Sequence, residues 1–301
     1  MSLLSLAVAA LSITSALVWW SVSDSSSLLL AVFGLLCAGA TFRAQKVPTF
    51  LKIFITIFAT EVVVFGGLYL LSALNLWPES LKDYRLPWHV PVTVAVFGVL
   101  VWAVSHLKVV RTIGGIADRY FESDGMTSAR IWPFPAFQIA ERRLAISMVT
   151  FLVVLNQAQV GISVRLSFFN RDWFNAIQNK DQDTFWRLLF TVFLFWAAIY
   201  IFSAIIEFIA QSMLIIRWRR WLTEHYVGRW LDGATHYRMG LKGLNADNPD
   251  QRIAEDVNRF IDGGQVGYGI YSYSILLIST LSSLVSFAVI LWTLSSDFTI
   301  P

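Results

Sequence analysis

The chain has 301 residues, of which 56% are hydrophobic and 14% are charged, and its formal net charge is +3. So few charged residues exclude an ordinary soluble domain, in which about 25% are charged. The single cysteine, Cys37, excludes a disulfide framework and any metal site built from cysteines. The four histidines are scattered, without cysteines or carboxylates at ligand spacing, so the sequence predicts no metal site.

Seven apolar segments are each long enough to cross a bilayer, which takes about 20 helical residues. Backbone in lipid must satisfy its own hydrogen bonds, so these segments are predicted to be helices. They cover residues 3–23, 25–42, 53–77, 89–107, 144–164, 188–216 and 268–294. The first could be a signal peptide, but it lacks basic residues before it and is too long, so we favour a span. The second, rich in small residues, predicts a tight hairpin with the first.

Basic residues are concentrated on one side of these seven predicted spans. The loops at 43–52, 108–143 and 217–259 are rich in lysine and arginine, and they share a side if all seven segments cross. The positive-inside rule makes that side cytoplasmic, with the N-terminus inside and Pro301 outside. The net positive charge is therefore a signal of topology and implies no nucleic-acid partner.

The chain divides into three predicted parts. Residues 1–107 hold four accessory transmembrane helices, residues 108–143 form a cytoplasmic linker, and residues 144–301 form the core. Gly114-Gly115 and Pro133 in the linker predict irregular structure with room for a surface-lying turn of helix. The sixth span, about 29 residues long, exceeds what a bilayer requires and should project into the cytoplasm or tilt.

Residues 165–178, after the fifth predicted span, combine aromatic and polar side chains at roughly helical spacing. Phe168, Phe169, Trp173 and Phe174 provide the aromatic side chains, against a polar Asn-Arg-Asp stretch. Aromatic rings prefer the membrane interface, so the pattern favours an amphipathic elbow at the outer surface. We interpret it as an interfacial anchor in preference to a substrate site.

A short polar helix is predicted between the last two spans. Asn248 suits the N-cap, Pro249 the first helical position and Gln251 the third position of a capping box, and Gly263-Gly264 predicts the end. An apolar stripe is formed by Ile253, Val257, Phe260 and Ile261. The polar face carries Arg252, Glu255, Asp256 and Arg259. Taken alone, the pattern fits a solvated surface helix equally well.

Three distinctive segments follow one another along the chain. They are the aromatic segment 169–178, the tryptophan- and arginine-rich segment 217–230, and the polar helix at 248–260. Together they resemble the transmembrane region of SbmA/BacA-type ABC transporters, which is also similar to that of peroxisomal ABC half-transporters. The resemblance covers about residues 144–301. The sequence thus predicts an all-α integral membrane protein of about seven transmembrane helices, and the resemblance implies that the last three are like the first half of an ABC exporter-type transmembrane domain.

The resemblance also implies partners and site residues. In this family the polar helix belongs to an intracellular loop that contacts the nucleotide-binding domain. Carried over residue by residue, this coupling contact involves Asp250, Gln251, Arg252, Glu255 and Asp256. The family further implies a homodimer in the bacterial inner membrane that moves peptides, cobalamin, fatty acyl groups or related amphipathic cargo.

Two features depart from the family. Its transmembrane half has six spans, whereas this chain ends after what would be the third, and no Gly-x-x-x-x-Gly-Lys-[Ser/Thr] phosphate loop occurs. We therefore expect no catalytic residue and no cofactor here, with ATP and Mg²⁺ bound by a nucleotide-binding domain in the same longer chain or a separate one. We favour a fragment of a longer protein. The four leading spans are the second departure, because shorter family members lack them.

Carboxylates inside the predicted spans are the other candidate site residues. Glu61 follows Lys52 by about 13 Å of helix, near the midplane, and Glu207 lies in the sixth span with Gln211 one turn later. A carboxylate in the membrane is costly and is a functional candidate by default, here on a substrate or proton pathway. For Glu61 we favour the alternative of a hydrogen-bonded packing residue.

Three functions remain open on the sequence alone. The first, which we favour, is the permease part of an ABC-type transporter that moves peptides or amphipathic small molecules. The second is a proton-driven, SbmA/BacA-like peptide uptake protein without an ATPase domain, in which Glu61 or Glu207 carries the proton. The third is a membrane scaffold that transports nothing.

Overall fold

A computed structural model describes residues 2–22, 25–79, 87–130, 135–243, 248–263 and 269–296. Within these ranges, six helices are long and apolar enough to cross a membrane, or seven if one bent pair counts as a span. The prediction of an all-α membrane protein with about seven spans is therefore confirmed. The chain forms two compact units, Met1–Thr150 and Phe151–Pro301, and the boundary falls within one long helix.

The first unit is built on four apolar helices. They are α1 (Ser2–Val22), α2 (Ser25–Arg43), α3 (Thr49–Ala73) and α4 (His89–Val104), with a short 3₁₀ turn at Ala44–Lys46 after α2. Helices α1 and α2 form the predicted hairpin, in which the Ser15 hydroxyl donates to the Ser27 carbonyl at 2.7 Å. Helices α2 and α3 both pack against α4. Phe50, Phe54 and Phe58 of α3 are almost fully buried.

The fourth helix is shorter than the sequence predicts, and the linker after it is more regular. Helix α4 has 16 residues, and the chain then bends by 93° into the amphipathic helix α5 (Lys108–Phe121). A two-stranded antiparallel sheet follows, formed by β1 (Met126–Ala129) and β2 (Phe137–Ala140). The prediction of irregular structure at Gly114 was wrong. A Cβ at that position would lie 2.9 Å from Pro48 side-chain atoms, so Gly114 permits close helix packing. Pro133 lies outside the described residues.

Asp118 of α5 closes the first turn of α3. Pro48, the residue before α3, offers no side-chain cap, and the two carboxylate oxygens of Asp118 instead accept the amide protons of Thr49 at 2.8 Å and Phe50 at 2.9 Å. The Thr49 hydroxyl also donates to Glu122 Oε1 at 2.8 Å. Burial raises the pKa of Asp118 above its ordinary value, although both amide donors oppose the shift. Helix α5 is thereby fastened to the start of α3.

We expect Asp118→Ala to lower the free energy of unfolding by about 1–2 kcal/mol at neutral pH, because amides of the α3 N-terminus lose their acceptor. Since the folded-state pKa is raised, the wild-type contribution is greatest at low pH and falls as pH rises from the unfolded-state value through the folded-state value. Thermal unfolding as a function of pH checks both points. Asp118→Asn should abolish that part of the pH dependence, and an unchanged profile would contradict the assignment.

The second unit begins within α6 (Glu141–Gln178), a helix of 38 residues. It continues through α7 (Gln182–Leu188), a π-helical turn at Leu189–Phe193, and α8 (Leu194–Leu231), which also has 38 residues. A 3₁₀ turn at Asp232–Ala234 leads to α9 (Thr235–Leu241), and α10 (Pro249–Asp262) and α11 (Ile270–Ser296) follow. The predicted excess length of the sixth span is confirmed, because α8 continues well past residue 216.

Residues 165–178 form no separate elbow, because α6 runs through them without a break. The chain reverses instead at Lys180, and the Asp181 side chain caps α7 by accepting from the Thr184 amide at 3.1 Å. Aromatic rings then join the two arms: Phe169 stacks on Phe193 at 5.3 Å and Trp173 on Phe185 at 5.1 Å between centroids. The predicted interfacial aromatic residues therefore include two that pack one helix against the next.

Candidate functional site

A polar cluster lies within the apolar helices of the second unit. The Gln159 side-chain amide of α6 donates to Glu207 Oε2 of α8 at 2.8 Å, and its nitrogen lies 3.3 Å from the Ser203 hydroxyl, one turn before Glu207. Gln159 and Ser203 are both buried, and Glu207 is half-buried. Apolar residues surround this stretch of α8, so its polar groups depend on one another for hydrogen bonds.

Two further buried polar atoms extend this cluster. Asn156 precedes Gln159 by about one helical turn on the same face of α6, and the side chain of Asn156 is 8% exposed. The Tyr271 side chain at the start of α11 is 2% exposed and lies close enough to Glu207 and Asp262 for electrostatic interaction. Neither Asn156 Oδ1 nor the Tyr271 hydroxyl has a hydrogen-bond partner among the described residues. Buried polar atoms are usually paired, so each of these two has room for a further hydrogen bond.

The predicted intramembrane residues fall in different places. Gln211 is half-buried one turn after Glu207, as the spacing predicts, and it belongs to the same face of α8. Glu61 is half-buried within α3 of the first unit. Of the predicted residues, Glu207 is the one bonded to Gln159, which also lies beside Ser203.

Helix α10 is the second candidate site, and it begins and ends close to the predicted residues. Gly263 ends it in the left-handed conformation at φ 85°, and its amide donates to the Arg259 carbonyl. The predicted capping box is wrong: Asn248 adopts φ 47° and makes no side-chain cap. Gln251 points along the helix instead and donates to Glu255 Oε1 at 2.7 Å.

The two faces of α10 differ in the predicted way. Val257 and Ile261 are buried, and the Phe260 ring meets Trp218 of α8 edge-on at 6.3 Å between centroids. Trp218 is itself fully buried. Helix α10 also contacts α11, where the Ser272 hydroxyl donates to Asp262 Oδ1 at 3.0 Å. The apolar stripe therefore fixes α10 to α8, and its last turn is bonded to the start of α11.

The five predicted coupling residues all lie exposed on α10. Glu255 accepts from Gln251 and forms an ion pair with Arg259 at 3.4 Å. Asp250, in the first turn, places negative charge near the positive end of the helix dipole. The exposed residues are Asp250, Gln251, Arg252, Glu255 and Asp256. This polar face is therefore exposed and can contact another protein domain.

Both candidate sites lie within a segment that matches a known family. The family model for ABC transporter transmembrane region 2 matches residues 133–300, more than half of the chain. The chain belongs to this ABC transporter transmembrane family. The polar cluster, α10 and α11 all lie in the matched ABC transporter region, whereas α1–α5 precede it.

Individual ABC transporters are also similar to part of the chain. The chain is 34% identical over 154 residues to the inner membrane ABC transporter ATP-binding protein YddA of Escherichia coli (strain K12), covering 50% of this chain and 26% of that protein. It is 34% identical over 140 residues to ABC transporter D family member 2, chloroplastic, of Arabidopsis thaliana, covering 46% and 19%. The lysosomal cobalamin transporter ABCD4 of Homo sapiens is 26% identical over 113 residues, covering 38% and 18%.

The chain thus spans about a quarter or less of the length of these three relatives. No solved structure matches it. Its place among ABC transporter transmembrane regions, together with its several apolar helices, makes it a multi-pass membrane protein.

Sequence reasoning missed Asn156, Gln159, Ser203 and Tyr271 as members of the polar cluster. A signal for two of them was present, because Asn156 and Gln159 interrupt the apolar segment 144–164 with side-chain amides. Such residues in a membrane helix usually hydrogen-bond to a neighbouring helix. Ser203 and Tyr271 carried no comparable signal, because serine and tyrosine are common in the remaining spans.

Proposed function

We propose that the chain is the permease part of an ABC transporter that moves peptides or amphipathic small molecules across the membrane. An ATP-binding domain, in the same longer chain or in a separate one, binds ATP and Mg²⁺ and drives the movement. Support comes from the ATP-binding relatives and from the absence of a phosphate-loop motif in the 301 residues. A cobalamin transporter is also among the relatives.

The observation that carries this proposal is the position of α10. At 1.5 Å per residue, the 38 residues of α8 extend about 57 Å, well beyond a hydrocarbon core of about 30 Å. Helix α10 packs against the later part of α8, around Trp218, and turns its charged face outward. A helix placed there can transmit force from an ATPase domain to α8 and α11, because it is fixed to both.

We further propose the finer features that the family resemblance implies. The chain is of the SbmA/BacA type, acts as a homodimer and lies in a bacterial inner membrane. Residues 1–107 are accessory, residues 108–143 are a linker, and residues 144–301 are the first half of the transmembrane domain. Asp250, Gln251, Arg252, Glu255 and Asp256 form the contact with the ATP-binding domain.

A second candidate function is proton-driven peptide uptake. The observation in its favour is Glu207, a carboxylate held by Gln159 within an apolar helix, as proton carriers often are. Transport into vesicles of both orientations, with a labelled amphipathic peptide, separates the two functions. The ABC proposal expects transport to require ATP, to stop with vanadate and to survive collapse of the proton gradient. Loss of transport on collapse of the gradient, with no effect of ATP, supports the second function.

The proposed topology makes a direct labelling prediction. Single cysteines at Ser26, Lys82, Gly125 and Lys242, in a Cys37→Ser background, should react with an impermeant maleimide from outside only at the first two positions. The reason is the concentration of lysine and arginine in the loops that hold Gly125 and Lys242. Lys82 lies outside the described residues. Labelling of the cysteine at Gly125 or Lys242 in intact cells would contradict the topology, and permeabilised cells provide the control.

A further inference from the structure

We propose that the polar cluster of α6, α8 and α11 binds a protonated amino group of the transported molecule. The cluster consists of Asn156, Gln159, Ser203, Glu207 and Tyr271. This inference rests on the proposed transport function and adds the chemical class that the site selects.

The first argument is the balance of donors and acceptors. An ionised carboxylate accepts about four hydrogen bonds, and Gln159 supplies one of them to Glu207 at 2.8 Å. Asn156 Oδ1 adds an acceptor that has no partner among the described residues, although its side chain is 92% buried. A primary ammonium group carries three donors and no acceptor, so it complements this set.

The second argument is charge. A carboxylate within the membrane is stabilised by a cation, and no ion pair of Glu207 occurs in the described part of the chain. Along α8 the first basic residue after it is Arg217, ten residues and about 15 Å away. Along α6, Arg165 follows Gln159 by about 9 Å. A cationic ligand would supply the missing charge.

The third argument is that a third helix also contributes a buried polar group that can still form a hydrogen bond. The Tyr271 hydroxyl of α11 is buried, lies near Glu207 and has no hydrogen-bond partner among the described residues. Because Ser272 bonds to Asp262, the Tyr271 turn adjoins the last turn of α10. A ligand held between Glu207 and Tyr271 would therefore be held beside the turn that connects α11 with α10.

Binding can be tested without knowledge of the cargo. The protein in lipid nanodiscs is titrated with hexylammonium chloride, and thermal unfolding is followed by tryptophan fluorescence, since a ligand of the folded state raises the unfolding midpoint. Hexanol and hexanoate control for partition of the alkyl chain into lipid. We expect hexylammonium to raise the unfolding midpoint, and we expect hexanol and hexanoate to leave it unchanged. Its affinity should be at least about tenfold weaker in Glu207→Gln, because a charged hydrogen bond is lost.

Matched variants separate binding from folding. Glu224→Gln removes one carboxylate from an exposed ion pair with Arg220 on the same helix and should leave hexylammonium affinity unchanged. Asn156→Leu removes an unpartnered acceptor at similar volume, so it should raise the unfolding midpoint without ligand and weaken hexylammonium binding. A packing role for Asn156 would not give these opposite effects.

The outcomes separate a failure of the amine site from a failure of the proposed function. If hexylammonium stabilises the wild-type protein no more than hexanol does, or binds Glu207→Gln equally well, the amine site is wrong, whether or not ATP drives transport. If hexylammonium binding depends on Glu207 and Asn156 but ATP never drives transport, the site stands and the ABC mechanism fails.

Discussion

We expect Asp256→Lys to uncouple ATP hydrolysis from transport while leaving membrane insertion intact. Asp256 is exposed on α10, and the buried residues Val257 and Ile261 hold that helix in place independently of it. Reversal of one charge in a polar contact brings like charges together, which costs several kcal/mol. Transport per ATP hydrolysed should therefore fall at least about tenfold when both rates are measured in the same vesicles.

A charge reversal at a neighbouring exposed site is the control for this variant. Asp232 lies just after the end of α8 and is also exposed, so Asp232→Lys changes the net charge by the same amount. We expect it to retain coupled transport. Wild-type ratios of transport to hydrolysis in both variants would show that α10 is only a solvated surface helix.

The second large effect is expected at Glu207. Glu207→Gln removes the charge from the acceptor of the Gln159 hydrogen bond at 2.8 Å, and hydrogen bonds to charged groups contribute about 1.5–3 kcal/mol. Transport should fall by about tenfold or more at matched membrane abundance. Glu61→Gln should cause a smaller loss, because Glu61 belongs to α3, outside the matched ABC transporter region.

Glu207→Asp provides the conservative comparison, since it keeps the charge and shortens the side chain by one methylene. It should transport better than Glu207→Gln if charge is what the site requires. A variant set in which only Glu61→Gln abolishes transport would place the functional core in the first unit and contradict this account.

The large features of the fold were predictable because they depend on local sequence. Apolar length predicted the candidate spans, and the spacing of Val257 and Ile261 predicted the buried face of α10. Gly263 predicted the end of that helix, because glycine adopts positive φ without strain.

The errors arose where tertiary contacts override local signals. Gly114 suggested a break in the chain, yet its lack of a side chain serves packing against Pro48 within a helix. Phe169 suggested a separate elbow, yet α6 runs through it without a break and its ring stacks on Phe193. The partner of Glu207 could not be predicted, because Gln159 lies 48 residues earlier and only the packing of α6 on α8 brings them together.

The contact between α10 and an ATP-binding domain is the central claim, and photocrosslinking tests it most directly. A photoreactive amino acid replaces Glu255 in the intact transporter in its native membrane, and mass spectrometry identifies the crosslinked peptide. We predict a peptide from a domain that carries a phosphate-loop motif, and no such product when the same amino acid replaces Asp232. Products confined to lipid or to other segments of this chain would contradict the account.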